Sequence, residues 1–173
     1  MTEHLREHQS YLQIAIDYND ITSDDECLSI GELNTRRIIF CEGYRAMENP
    51  WFSWLPFSPA TGEILTLKSN TPIPDAIINA GKWLLPISDN IFKLRATYDR
   101  ETLDEQPTEA GRKELMDAMQ NIVEGSLITE TIAHHAGVRP CTKDRAPFIG
   151  THPEHPHMGI FNGFGSKGSL MIP

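Results

Sequence analysis

An α+β fold, with a mixed and largely antiparallel sheet backed by one helix, is what this sequence predicts. Three observations carry that prediction. Thr61 to Leu67 alternates apolar and polar residues, the period-two pattern of a strand with one buried face. Ala76 to Ala80, Lys82 to Pro86 and Asn90 to Tyr98 follow as short apolar runs, the last two joined by a Ser88-Asp89-Asn90 turn, which reads as an antiparallel meander. Leu115, Ala118, Met119 and Ile122 then recur at helical spacing after Thr108, a natural N-cap, with Glu109 in the first turn and Gly125 as a stop.

The remaining elements follow in chain order. Met1 to Gln9 reads as frayed helix or tail. Tyr11 to Tyr18 places Leu12, Ile14 and Ile16 on one face and predicts a strand, Thr22 to Glu26 is an acidic turn, and Cys27 to Ile30 is a second short strand. Arg37 to Cys41 is a continuous apolar run after two arginines, the pattern of a strand buried on both faces in a parallel sheet. Asn49 to Pro59 carries two tryptophans and two phenylalanines among three prolines, a density no regular element tolerates. It is read as a rigid loop pinned onto the core, or onto a partner domain, in preference to a pocket wall. The predicted sheet spans Tyr11 to Tyr98 and is rejoined near Leu127, with the helix at Glu109 to Val123 behind it. Leu127 to Ala133 is strand-like and leads to Gly137; Met158 to Phe161 is a last short strand.

Bulk properties narrow the function. A chain of 173 residues with 39% hydrophobic residues suits one domain or two small lobes. The net charge of −9 and the lack of a basic stripe argue against nucleic acid, whose phosphates need clustered Lys and Arg. No apolar run is long enough for a membrane span, and the polar N-terminus is no signal peptide. Cys27, Cys41 and Cys141 are odd in number and far apart, as expected of reduced thiols in a cytoplasmic protein.

Three groups of residues could carry chemistry. Arg139 stands between Gly137 and Pro140, which constrains its backbone and aims one guanidinium; by residues alone it is either an anion anchor or half of a structural ion pair. Gly163, Gly165 and Gly168, with Lys167, form a Gly-rich loop that is either a ligand-approaching backbone or a tight turn. His152, His155 and His157, with His134 and His135 upstream, invite a metal reading, but Pro153 and Pro156 break any helix that would align ligands, so no metal site is expected.

The order of these pieces resembles a known family. A-G-V-R-P-C-T-K-D-R-A-P-F-I-G (Ala136 to Gly150) followed by N-G-F-G-S-K-G (Asn162 to Gly168) is similar to the C-terminal part of the D-amino-acid oxidase and glycine oxidase family of FAD-dependent oxidoreductases. R-I-I-F-C-E-G (Arg37 to Gly43) resembles that family's returning flavin-domain strand. Pro59 to Leu67 resembles the start of its substrate domain, and Trp83 to Pro86 with Leu94 to Tyr98 its paired strands. The resemblance implies a substrate domain at 51–133, flanked by a partial FAD-domain region at 1–50 and a C-terminal FAD-domain segment at 134–173. It implies that Arg139 holds a substrate carboxylate; His135, just before the expected Gly137-to-Pro140 turn, is a candidate for lining the site. Gly163, Phe164, Gly165, Ser166, Lys167 and Gly168 would wrap the flavin ring, with Gly43 beside it, or with Gly43 simply turning the chain. No catalytic base is assigned.

The activity implied is oxidation at the C–N bond of a small-molecule amine or amino acid with FAD. The first half of the chain has no G-x-G-x-x-G, and the chain ends at Met171-Ile172-Pro173 where the family continues into a helix. The expectation is therefore a C-terminal portion that does not hold FAD tightly. Ile38 to Phe40 would lose part of the layer that buries it, leaving the chain marginal, dimeric or aggregation-prone. The alternatives are a catalytically silent substrate-binding or interaction fragment, a homodimer, a subunit for a separate FAD-binding chain, or a small metal-binding protein.

Overall fold

The computed structural model describes residues 2–23, 27–122, 128–165 and 167–168. Among the described residues there are two α-helices, and eleven strands form three sheets. A short helix α1 (Thr2–Glu7) precedes an antiparallel meander of β1 (Ile21–Ser23), β2 (Leu28–Ile30) and β3 (Leu33–Thr35). Strand β4 (Ile38–Phe40) runs to a 3-10 turn at Gly43–Met47. Then come β5 (Ala60–Ser69), β6 (Ile78–Asn79), β7 (Trp83–Ser88), β8 (Ile91–Arg95), helix α2 (Glu109–Gln120), and β9 (Ile128–Arg139). The chain closes with β10 (Phe148–Thr151) and β11 (Met158–Asn162).

The largest sheet is antiparallel throughout, in the order β6-β7-β8-β5-β9, and α2 packs behind it. Leu65, Leu67, Leu84, Phe92 and Leu94 bury their side chains against Leu115 and Met119 of α2. Thr108 caps the helix as its sequence predicts, its hydroxyl accepting from the Gly111 N–H at 2.9 Å. The expected stop at Gly125 lies outside the described residues.

A second core lies under the mixed sheet β10-β11-β4, where β11 is antiparallel to β10 and parallel to β4. Leu28, Phe40, Met158 and Ile160 meet Phe52 and Phe57 of the proline-rich loop there, and Trp51 stacks on Phe40 at 5.6 Å between ring centres. That loop is thus pinned onto a core. Asn49 holds its start, accepting from the N–H groups of Trp51 and Phe52 at 2.9 and 3.1 Å.

Four expectations are corrected. The single sheet expected from Tyr11 is three sheets. Tyr11 to Tyr18 is not a strand: no strand among the described residues pairs with it, and Leu12, Ile14 and Ile16 are exposed. Alternation allows a strand, but a strand also needs a neighbour. The run at Ile38–Phe40 is not buried on both faces, because β4 is an edge strand of its sheet and Ile39 is 64% exposed. Finally, the strand expected to end near Ala133 continues to Arg139. Gly137 pairs with Gly62 of β5 and does not turn the chain.

Candidate functional site

Strand β9 fixes the position of Arg139. Its register on β5 sets Arg139 opposite Ala60, Gly137 opposite Gly62 and His135 opposite Ile64. Alternation puts His135, Gly137 and Arg139 on one face and His134, Ala136 and Val138 on the other. The Arg139 guanidinium lies across Gly62, where any Cβ would overlap it. It donates weakly to the Thr97 carbonyl, 3.4 Å from both Nη atoms, and sits 5.7 Å from the centre of the Tyr98 ring. Among the described residues no carboxylate pairs with it. Most of its donors are therefore left for something else. His135 is exposed, roughly 13 Å up the same strand face at about 3.3 Å per residue.

The Gly-rich loop packs directly on the segment after Arg139. Gly165 donates to the Pro140 carbonyl at 3.2 Å, and Lys167 N–H to the Phe164 carbonyl at 3.0 Å. Gly163 and Gly165 have φ of +80° and +55°, and a Cβ on either would press on Thr142 or Cys141. Asn162 is buried and ties two parts of the expected site together. Its Nδ2 donates to the Gly43 carbonyl at 2.8 Å, and its Oδ1 accepts from the Gly163 N–H at 2.7 Å. The N–H groups of Gly163, Gly165 and Lys167 are thus used within the protein. Ser166 lies outside the described residues.

Between the loop and the strand end is a cleft of about 520 Å³. Gly163, Phe164, Gly165 and Lys167 line one side; Cys141, Thr142, Lys143 and Arg145 line the next, and Tyr98 and Arg100 the last. Arg100 donates to the Tyr98 hydroxyl at 3.2 Å, a bond that raises its pKa above the ordinary arginine value. The positive character of the cleft comes from four side chains, and its lining among the described residues contains no carboxylate. Sequence reasoning found Lys167 but missed Tyr98, Arg100, Lys143 and Arg145. The one signal available was the pair of charges flanking Asp144.

A profile described as FAD dependent oxidoreductase matches residues 13–173. The chain belongs to this family. Within the FAD dependent oxidoreductase family it is similar to glycine oxidase of Geobacillus kaustophilus, 27% identical over 117 residues that make up 66% of this chain and 31% of the relative. Glycine oxidase of Pseudomonas aeruginosa is 22% identical over 148 residues, 84% of this chain and 41% of that protein. The chain thus spans less than half the length of these relatives. Among solved structures, iminodiacetate oxidase from Chelativorans sp. BNC1 superposes with a TM-score of 0.73 at 22% identity, over 86% of this chain and 44% of that one. L-alpha-glycerophosphate oxidase from Mycoplasma pneumoniae, with FAD bound, gives 0.74 at 18% identity, over 95% and 49%.

The cleft suits the cofactor of the FAD dependent oxidoreductase family at its ring end. Its volume lies in the range of about 300–1,000 Å³ usual for small-ligand sites. It offers the Tyr98 and Phe164 rings, with cations around them. Loop amides contribute less than the glycine pattern suggested, because three of them already have partners.

The other face of β9 holds a polar cluster with a structural part. Glu63, only 5% exposed, accepts from the Thr108 N–H at 3.1 Å and the Thr108 hydroxyl at 2.7 Å, beneath the N-terminus of α2. His134 Nε2 lies 2.6 Å from Glu63 Oε2, a close approach out of line for a hydrogen bond and a pairing of charges only when the imidazole carries a second proton. Of the histidines weighed for metal, His152 Nδ1 accepts from the N–H groups of Glu154 and His155, and His157 Nδ1 lies 3.1 Å from the Arg36 carbonyl. Among the described residues the one set of three potential ligands close together is the exposed His4, Glu7 and His8. No helix among them is long and apolar enough to cross a membrane.

Proposed function

We propose that this chain supplies the substrate-anchoring and flavin-facing part of an FAD-dependent oxidoreductase that acts on the C–N bond of amino acids or amines. The observation that carries this is the position of Arg139. Its guanidinium has no carboxylate partner among the described residues and stands against Tyr98, at the margin of the cation-lined cleft. In this reading Arg139 takes the substrate carboxylate through its planar fork of donors. Phe164, Lys167 and the backbone of Gly163, Gly165 and Gly168 face the flavin ring, with Gly43 held near by Asn162. His135 borders the substrate side. When bound, the flavin accepts the electrons of C–N dehydrogenation. The chain's own residues orient the substrate and surround that ring with positive charge.

The chain divides, on the same reading, into an FAD-domain region at 1–50, an α+β substrate domain at 51–133 and a C-terminal FAD-domain segment at 134–173. Support comes from the two cores: Leu28, Phe40, Met158 and Ile160 share one with Phe52 and Phe57 from the start of the middle region, and Leu65, Leu94 and Leu115 share the other, with β9 running across the 133/134 boundary. The pyrophosphate half of the cofactor would be held by sequence beyond these residues or by a separate chain.

A second reading is a substrate-binding or interaction subunit without activity of its own, favoured by the loop amides of Gly163, Gly165 and Lys167 already having partners within the protein. One experiment tests both. The purified chain is saturated with FAD under anaerobic conditions and mixed with a panel of amino acids and secondary amines. Bleaching of the flavin spectrum, lost in Arg139→Leu, supports the oxidoreductase. Flavin that no panel member bleaches supports the silent subunit.

A further inference from the structure

We propose that the cleft takes a substrate with a second acidic group, gripped by Lys143 and Arg145 with help from Arg100, beyond the carboxylate anchored by Arg139. This rests on the flavin-facing reading above.

The chain as a whole carries −9, yet four cations converge on one cleft with no lining carboxylate among the described residues. None of Arg100, Lys143, Arg145 and Lys167 forms an ion pair among the described residues. Asp144, between two of them, turns back on its own loop and accepts from the Ala146 N–H at 3.0 Å. One substrate carboxylate is met by Arg139, and charge developing on a flavin ring by Lys167. Three cations are then left over, and like charges held together without an anion repel one another.

The loop carrying two of them is built to stay in place. Thr142 Oγ1 donates to the Ala146 carbonyl at 2.9 Å, and the Lys143 N–H donates to the Pro56 carbonyl at 3.2 Å. Arg145 sits at φ +65°, a left-handed conformation that favours glycine and is uncommon for an arginine. Such a residue at a cleft suggests that its charge is wanted there despite the backbone cost. Tyr98 joins this group to Arg139. Its ring centre is 5.4 Å from the Arg100 guanidinium and 5.7 Å from that of Arg139. Two carboxylates on one small molecule would therefore meet two separate sets of donors around a shared ring.

The test is amide NMR titration of the purified chain in low-salt buffer with acetate, which has one carboxylate, and succinate, which has two. Succinate should bind at least about tenfold more tightly, since each exposed charge pair contributes a few-fold and several act together. The shifts should fall on Lys143, Arg145, Gly163 and Gly165, and the preference should fade in salt. Arg145→Gly keeps the backbone conformation and should bring the ratio close to one. Equal affinities for the two acids, or an unchanged ratio in Arg145→Gly, would overturn the proposal. Riboflavin and FMN provide the other arm. If FMN binds far more tightly than riboflavin, Arg145→Gly removes that difference, and succinate has no advantage, the cations serve a cofactor phosphate and the proposal fails. If riboflavin does not bind while the succinate preference holds, the flavin-facing reading fails and the dianion site stands.

Discussion

Asn162 and Gly43, separated by 119 residues in the chain, are joined by a 2.8 Å hydrogen bond from the Asn162 side-chain amide to the Gly43 carbonyl. The same side chain accepts from Gly163 at 2.7 Å, so one buried amide sets the spacing between the turn after β4 and the Gly-rich loop. Both segments are expected on the flavin side. Asn162→Ala would leave a carbonyl and an N–H without their partner, at a cost of about 1–3 kcal/mol. Asn162→Asp keeps the acceptor for Gly163 but turns an oxygen toward the Gly43 carbonyl, and should cost no less. Urea unfolding of the three proteins checks this; variants as stable as the parent would remove Asn162 from that position.

Gly111 offers a test in which helix propensity and packing oppose each other. Glycine inside a helix is about 1 kcal/mol worse than alanine, so Gly111→Ala on α2 should stabilise if propensity decided. A Cβ there would overlap the Glu63 carboxylate, which Thr108 holds through two hydrogen bonds. The expected outcome is destabilisation by about 1–3 kcal/mol, the usual range for overpacking a tight site. The loss should be smaller when Gly111→Ala is made in a Glu63→Ala background, giving a clear coupling in the double-mutant cycle.

The parts of this fold visible in the sequence were those decided locally. Thr108 caps α2 because an N-cap needs only the next three residues, and β5 was legible because seven of its ten residues, Thr61 to Leu67, carry a local period-two pattern. Arg139 stood out between a glycine and a proline. What could not be read depends on register. Gly137 looks like a turn until Gly62 is known to lie opposite it, and Leu12, Ile14 and Ile16 look like a strand until no partner is found. The cleft is assembled from Tyr98 and Arg100, from Cys141, Thr142, Lys143 and Arg145, and from Gly163, Phe164, Gly165 and Lys167, three segments far apart in the chain. Glu63 and His134 meet only because β5 and β9 pair.

Tyr18 links stability to alkaline pH. Burial, and then its 2.6 Å hydrogen bond to Glu42, raise its pKa well above the ordinary 10.0. In the unfolded chain the phenol loses its proton near the ordinary value, while in the folded protein it keeps it. The folded state then binds more protons, so stability is complete below about pH 10 and falls as pH rises further. Thermal unfolding between about pH 9 and pH 11 should show a decline that is shallower in Tyr18→Phe. Parallel slopes for the two proteins would place the alkaline loss elsewhere.

We propose that the cleft beside Arg139 faces a flavin ring and that this chain by itself does not hold FAD tightly. A dinucleotide fold holds the pyrophosphate at a helix N-terminus after a Gly-rich turn. Each charge-assisted hydrogen bond missing from such a site removes about 1.5–3 kcal/mol. Two of them weaken binding by roughly 100-fold or more. Fluorescence titration of FAD with the purified chain tests this most directly. The account predicts saturable quenching with a dissociation constant above the micromolar range, weakened further by Gly165→Val, whose side chain would press on Cys141. Sub-micromolar binding, or saturable quenching that Gly165→Val leaves unchanged, would contradict it.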